Sequence, residues 1–121
     1  MTQARIAFGK AGEDLACEEL TRRGYAILAR RYRTRRGEID IIARDGRTIV
    51  FVEVKARDGH EFGEAADAVT GLKRHRIARL ALDYIMRHRL SDHPCRFDVV
   101  SIHIEAGVPV IEVLQNAFDA S

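Results

Sequence analysis

Asp40, Glu53 and Lys55 are the residues of this chain whose types and spacing could do chemistry. Glu53 and Lys55 stand two apart, so on a β-strand, where side chains alternate, both point to one face. Two carboxylates brought together offer the hard oxygen ligands that Mg²⁺ or Mn²⁺ prefers. An amine one strand period away could neutralise charge developing on a phosphate, or orient the attacking water. Together these outline a metal-dependent phosphodiesterase site. The plain alternative is a Glu53–Lys55 ion pair on an exposed strand, worth about 0–1 kcal/mol, with Asp40 as a solvated neighbour.

The element that must position them is the stretch from Gly37 to Arg57. Two apolar, β-branched runs flank Asp45-Gly46, a dipeptide suited to the positive φ angles of a type I′ turn, and predict a β-hairpin. With Asp45 and Gly46 as the two-residue loop, Ile42 faces Ile49, Asp40 faces Phe51 and Glu38 faces Glu53. One face then carries Glu38, Asp40, Glu53 and Lys55 beside Ile42, Ile49 and Phe51. Asp40 and Glu53 become diagonal neighbours, near enough to share one dication. The company of the acids argues against the plain alternative. Glu38 and Asp40 interrupt an apolar run and Glu53 breaks Ile49-Val50-Phe51-Val52-x-Val54, so these strands read as central, where an acid must be satisfied.

Gly37-Glu38-Ile39-Asp40 and Val50-Phe51-Val52-Glu53-Val54-Lys55, with Gly12-Glu13 upstream and Phe62-Gly63 downstream, resemble the small YraN-like family of uncharacterised bacterial proteins. That family is similar to archaeal Holliday junction resolvases and belongs with the PD-(D/E)xK, restriction-endonuclease-like superfamily. The resemblance runs from Phe8 to Phe118. It implies that Asp40 and Glu53 match the metal-binding acids, Lys55 the catalytic lysine and Glu13 the helical acid of resolvase-like members. One departure is Ile39, which precedes Asp40 where the motif has proline. Glu13 also has a reading from the bare sequence, as an acid favoured in the first turn of a helix.

The charge distribution says more than the net charge of +2. Of 20 basic residues 17 are arginine, and Arg30, Arg31, Arg33, Arg35 and Arg36 fall just before Gly37. Arginine favours bidentate phosphate contacts, and this run delivers the chain into the acidic hairpin, where it could offset repulsion for a polyanion. Arg31, Arg33, Arg35 and Arg36 are therefore candidate nucleic-acid contacts. The competing account is a solvated loop.

At 121 residues, with 46% hydrophobic and 31% charged residues, the chain reads as one nuclease-like domain over 1–121. No apolar run approaches the length of a membrane span, and Met1-Thr2-Gln3-Ala4-Arg5 leads into helical sequence without an apolar signal core. A cytoplasmic location without a membrane partner is expected. Cys17 and Cys95 lack metal-site spacing and read as buried thiols. His60 lies near the proposed site, as a solvent-facing loop residue.

In chain order, a helix is expected from Phe8 to Arg23, stopped by Gly24, with Phe8, Gly12, Leu15, Ala16 and Leu20 inward and Glu13 bordering that stripe. A first strand spans Tyr25 to Arg33. After the hairpin comes a polar loop through Gly63, a short turn at Glu64 to Val69, and a helix from Gly71 to Arg89 capped by Thr70. Leu72, Ile77, Leu80, Ala81, Tyr84 and Ile85 give its inward face. Lys73 and Arg76, near its start, are further candidate phosphate contacts. Arg96 to Ile104 and Gly107 to Leu114 are strands four and five, with Pro109 marking an edge. Asp98, without a second acid or lysine at useful spacing, has little claim as a ligand.

The expected fold is α/β and restriction-endonuclease-like: a mixed central β-sheet of about five strands flanked by helices. The expected function is a Mg²⁺- or Mn²⁺-dependent endonuclease on DNA, with branched DNA the form that the resolvase likeness points to. Asp40 and Glu53 would bind metal, helped by the Val54 carbonyl and Glu13, and Lys55 would act on water or charge. Paired cuts at a junction would need a homodimer, inferred from that likeness alone. Two alternatives stand beside it: a nucleic-acid-binding module that keeps the fold without turnover, and a partner-binding protein whose acids are surface charges.

Overall fold

The computed structural model describes residues 3–57 and 71–118, with residues 3–10 and residue 57 as backbone only. Helix α1 (Gln3–Arg22) is stopped by Gly24, whose φ of 96° suits a residue without a side chain. The Gly24 N–H donates to the Thr21 carbonyl at 3.0 Å and the Tyr25 N–H to Leu20 at 2.9 Å, the two bonds of a Schellman cap. Strand β1 (Ala26–Thr34) follows, then β2 (Gly37–Asp45) and β3 (Thr48–Arg57). Helix α2 (Gly71–Arg87), β4 (Cys95–Glu105) and β5 (Val108–Leu114) complete the order.

The five strands form one sheet in chain order, and this mixed sheet flanked by two helices is the expected α/β fold. β3 and β4 run parallel while the other three pairs are antiparallel. A parallel pair requires a crossover, and α2 lies on it. β5 is an edge, as Pro109 suggested.

The hairpin forms, but on a different turn. Gly46 alone has positive φ, 61°, and Asp45 pairs with Thr48, so the loop is Gly46-Arg47. That is the φ pattern of a type II′ turn, with glycine first; the expected I′ loop needs positive φ at both loop residues. The register therefore moves by two, and Ile42 faces Phe51 instead of Ile49. A shift of two leaves side chains on their expected faces along the paired stretch from Ile41 to Asp45. It also means that the residues next beyond the Ile41–Val52 pair are Asp40 and Glu53, level with each other, and Glu38 no longer faces Glu53.

Each helix covers one face of the sheet. Ala16 and Leu20 of α1 pack with Ile41, Ala43, Val50, Val52, Val100 and Ile102. Ile77, Leu80, Ala81 and Tyr84 of α2 pack with Ile42, Ile49, Phe51, Val99 and Phe118 on the other side. Each Ile, Leu or Phe so buried contributes about 1.5–3 kcal/mol. β2 and β3 are covered on both faces, which is why they read as nearly continuous apolar runs. Leu72, expected inward, is 71% exposed. It lies about 140° around the helix from Ile77, so the inward stripe reaches the first turn at Lys73 instead. The loop with His60 and Phe62-Gly63, the Glu64–Val69 turn, the Thr70 cap and the Phe8 side chain fall outside the described residues.

Candidate active site

On both helices the inward stripe, followed toward the N-terminus past the apolar core, reaches a charge over β2 and β3. On α1 Glu13 precedes Ala16 by three and Leu20 by seven; on α2 Lys73 precedes Ile77 by four and Leu80 by seven. Gly12 lets α1 come down here. A Cβ on it would stand 2.8 Å from the Ala56 Cβ, too close for any side chain without a shift.

The alternation of side chains breaks at Asp40. Ile39 packs on the α2 side and Ile41 on the α1 side, although a period of two would put both on one face. At the same level on β1, Arg31 has a φ of 53°. Left-handed backbone costs a residue with a side chain about 1–2 kcal/mol. What accompanies it is that Arg30 and Arg31, neighbours in sequence, both reach Glu13, at 3.1 and 3.2 Å. Beyond the last rung of the β2–β3 ladder, the Val54 N–H donates to Asp40 Oδ2 at 2.8 Å.

Glu13, Asp40, Val54, Lys55 and Ala56 line an open cleft of about 330 Å³. Burial pushes the Asp40 carboxyl up to about 7, and the neighbouring Glu53 charge adds to the push. Glu53 is 8% exposed and is ion-paired with Lys73 and, at 3.7 Å, with Lys55. Burial, together with the Lys73 ammonium beside it, lowers the Lys55 pKa. Lys73 moves the other way: burial opposes its charge, but Glu53 and Lys55 outweigh burial and raise its pKa. Of the two amines Lys55 gives up its proton more readily.

Among the described residues no three His, Cys, Asp or Glu side chains are gathered tightly enough to hold a metal ion. The Asp40–Glu53 pair nevertheless fits a hard dication. Mg²⁺ is commonly held by one or two carboxylates with water and substrate phosphate supplying the rest. The raised Asp40 pKa marks a carboxyl short of positive charge. Glu13 fits less well, because Arg30 and Arg31 already take both its oxygens.

The structure brings Asp40, Glu53, Val54, Lys55 and Glu13 together, and Lys73 with them. Lys73, expected as a phosphate contact at the helix start, is ion-paired with Glu53 at this site; its spacing to Ile77 was the signal for that placement. Of the candidate arginines, Arg31 is tied to Glu13 and Arg33 to Glu38 at 2.8 Å. The stem of Arg76 lies on Gly37, where a Cβ would meet its Cδ at 2.9 Å. Arg35 and Arg36 form the β1–β2 tip. Asp98, fully buried, is a structural acid: Arg96 grips both its oxygens at 2.9 and 3.0 Å and the Asn116 N–H donates to it at 2.9 Å.

The fold and site define a class, an α/β protein whose mixed sheet sets an acidic pair and a lysine beside a buried helical glutamate. The chain belongs to the uncharacterised protein family UPF0102, which matches residues 12–102. It is 50% identical over 113 residues to a UPF0102 protein of Symbiobacterium thermophilum, covering 93% of this chain and 96% of that one. A Geobacter metallireducens UPF0102 protein is 47% identical, with 93% of each chain covered. A third, from Syntrophus aciditrophicus, is 45% identical over 98% of this chain and 93% of its own. Among the described residues no helix is long and apolar enough to cross a membrane.

Proposed function

We propose that this protein is a divalent-metal-dependent endonuclease, one nuclease-like domain that hydrolyses DNA phosphodiester bonds in the cytoplasm. The observation that carries the reading is that Asp40 and Lys55 line one cleft while Glu53 stands 3.7 Å from Lys55 and, after burial, helps to push the Asp40 carboxyl up to about 7. A buried acidic pair is costly unless a cation offsets it. Asp40 and Glu53 would hold Mg²⁺ or Mn²⁺, with Val54 beside them in the cleft wall, and the ion would supply Lewis-acid charge neutralisation at the phosphoryl group. Lys55, whose proton is comparatively labile, orients the attacking water or donates to the charge that develops on phosphorus. Glu13 has a supporting role, positioning Arg30 and Arg31. The resolvase likeness extends the substrate to branched DNA and the working state to a homodimer.

A second reading is a nucleic-acid-binding module without turnover. It is favoured by the cations already seated on the acids: Lys73 on Glu53 and two arginines on Glu13.

Cleavage assays on duplex, branched and single-stranded DNA with Mg²⁺ or Mn²⁺ decide between them. Lys55→Ala and Asp40→Asn should each lower the cleavage rate at least about 100-fold while leaving DNA binding in place. No metal-dependent cleavage of any substrate, or cleavage that survives Lys55→Ala, would sink the nuclease reading.

A further inference from the structure

A second cleft, of about 470 Å³, opens between the β1–β2 tip and α2 and is lined by Arg33, Arg35, Arg36, Arg79 and Arg87. One carboxylate, Asp83, shares it, and that acid already accepts from the Tyr32 hydroxyl at 2.5 Å and from Arg87 at 3.2 Å. Arg33 is paired with Glu38, whereas Arg35 and Arg79 have no carboxylate partner among the described residues. The walls are fixed: Tyr32 ties β1 to α2, and the Arg76 stem lies against Gly37. An excess of guanidinium on a rigid frame is a phosphate receptor, because each planar fork can take two oxygens.

The shape selects a strand over a small phosphate. Arg79 and Arg87 are eight residues apart, about 12 Å of rise along the helix, and Lys73 lies about 9 Å of rise before Arg79. One strand of B-DNA places a phosphate every 3.4 Å of axis, so that length spans roughly three or four. The aromatic ring beside the cleft is Tyr32, which stands edge-on to Tyr84 with its hydroxyl bound to Asp83. It is the one aromatic ring among the described lining residues, against five arginines, so phosphate contacts outnumber any stacking contact there.

We infer that this cleft holds the sugar-phosphate backbone of a nucleic-acid strand running on from the acidic site, gripping about three or four phosphates and reading no bases. The inference deepens the nuclease reading and rests on it for the place of the scissile phosphate.

Fluorescence anisotropy with labelled duplexes of two unrelated sequences, in EDTA and over a salt series, tests it. The double variant Arg79→Gln/Arg87→Gln should bind both duplexes at least about 10-fold more weakly, with the salt slope reduced by about 2. Its melting temperature should match the parent's, since the Arg87–Asp83 pair is exposed. Unchanged affinity and slope, or a loss confined to one sequence, overturns the inference. Weakened binding in the double variant of a protein that never cleaves DNA supports the cleft and removes the nuclease reading. Metal-dependent cleavage with unaltered binding in the double variant keeps that reading and removes the cleft.

Discussion

Asp98 on β4 and Asp40 on β2, either side of β3, have both been drawn into the sheet, and they differ in what meets them. Asp98 accepts from Arg96 through both oxygens and from the Asn116 N–H. Arg96 also donates to the Tyr25 hydroxyl at 2.6 Å and reaches Asp45 at 3.2 Å, and its bond to Asp98 holds its own pKa above the ordinary arginine range. Asp40 has one backbone donor and another carboxylate beside it. Burial is common to the two acids; the number of donors each meets separates them, and the proposed role of Asp40 rests on that shortage. Asp98 closes a network, whereas Asp40 has a single donor, which is the opening the proposed cation would fill.

The largest test of this contrast is Asp98→Ala, which strands the Arg96 guanidinium and should lower unfolding free energy by about 3–5 kcal/mol in urea denaturation. Asp40→Asn should not destabilise the metal-free protein, since it removes a repulsion. If both variants lose similar stability, the two acids are of one kind. Saturation with Mn²⁺ comes next. At about 100 times its Kd it should stabilise the parent by about 2.7 kcal/mol, seen as a raised Tm that Asp40→Asn lacks and a Tm-matched surface variant keeps. An unchanged parent Tm would remove the metal site.

The pH effect is smaller. Asp40 titrates near 3.8 unfolded and about 7 folded, so the folded state binds the extra proton between those values. Its stabilising contribution is complete below the unfolded pKa and lost as pH rises through about 7. In EDTA the parent should gain about 1.4 kcal/mol from pH 8 to pH 6 relative to Asp40→Asn, from the ratio of protonated to ionised forms. Equal pH profiles for the two would show that Asp40 is not perturbed.

Much of this arrangement was legible beforehand because it depends on period and composition. Alternation along two apolar runs placed Asp40, Glu53 and Lys55 at one end of a hairpin, and Gly24 stopped α1 where expected. The register was not legible, because Asp45-Gly46-Arg47 can form either of two tight turns and only packing selects between them. Leu72 departs from the expected inward face for a related reason: the stripe from Ile77 runs back through Lys73, which leaves Leu72 exposed. The Arg30 and Arg31 grip on Glu13 depends on a left-handed φ that arginine gives no warning of.

Sequence by itself determined the elements, the faces of the central strands up to the break at Asp40 and the membership in UPF0102, since these follow from side-chain type and order along the chain. Tertiary structure alone decided which charges meet. Glu13, Asp40, Glu53 and Lys73 come from four separate elements, and Asp98 finds its Asn116 donor 18 residues away. Electrostatic fate depends on distances across the sheet and on water excluded by both helices, quantities that exist only after the chain has closed on itself.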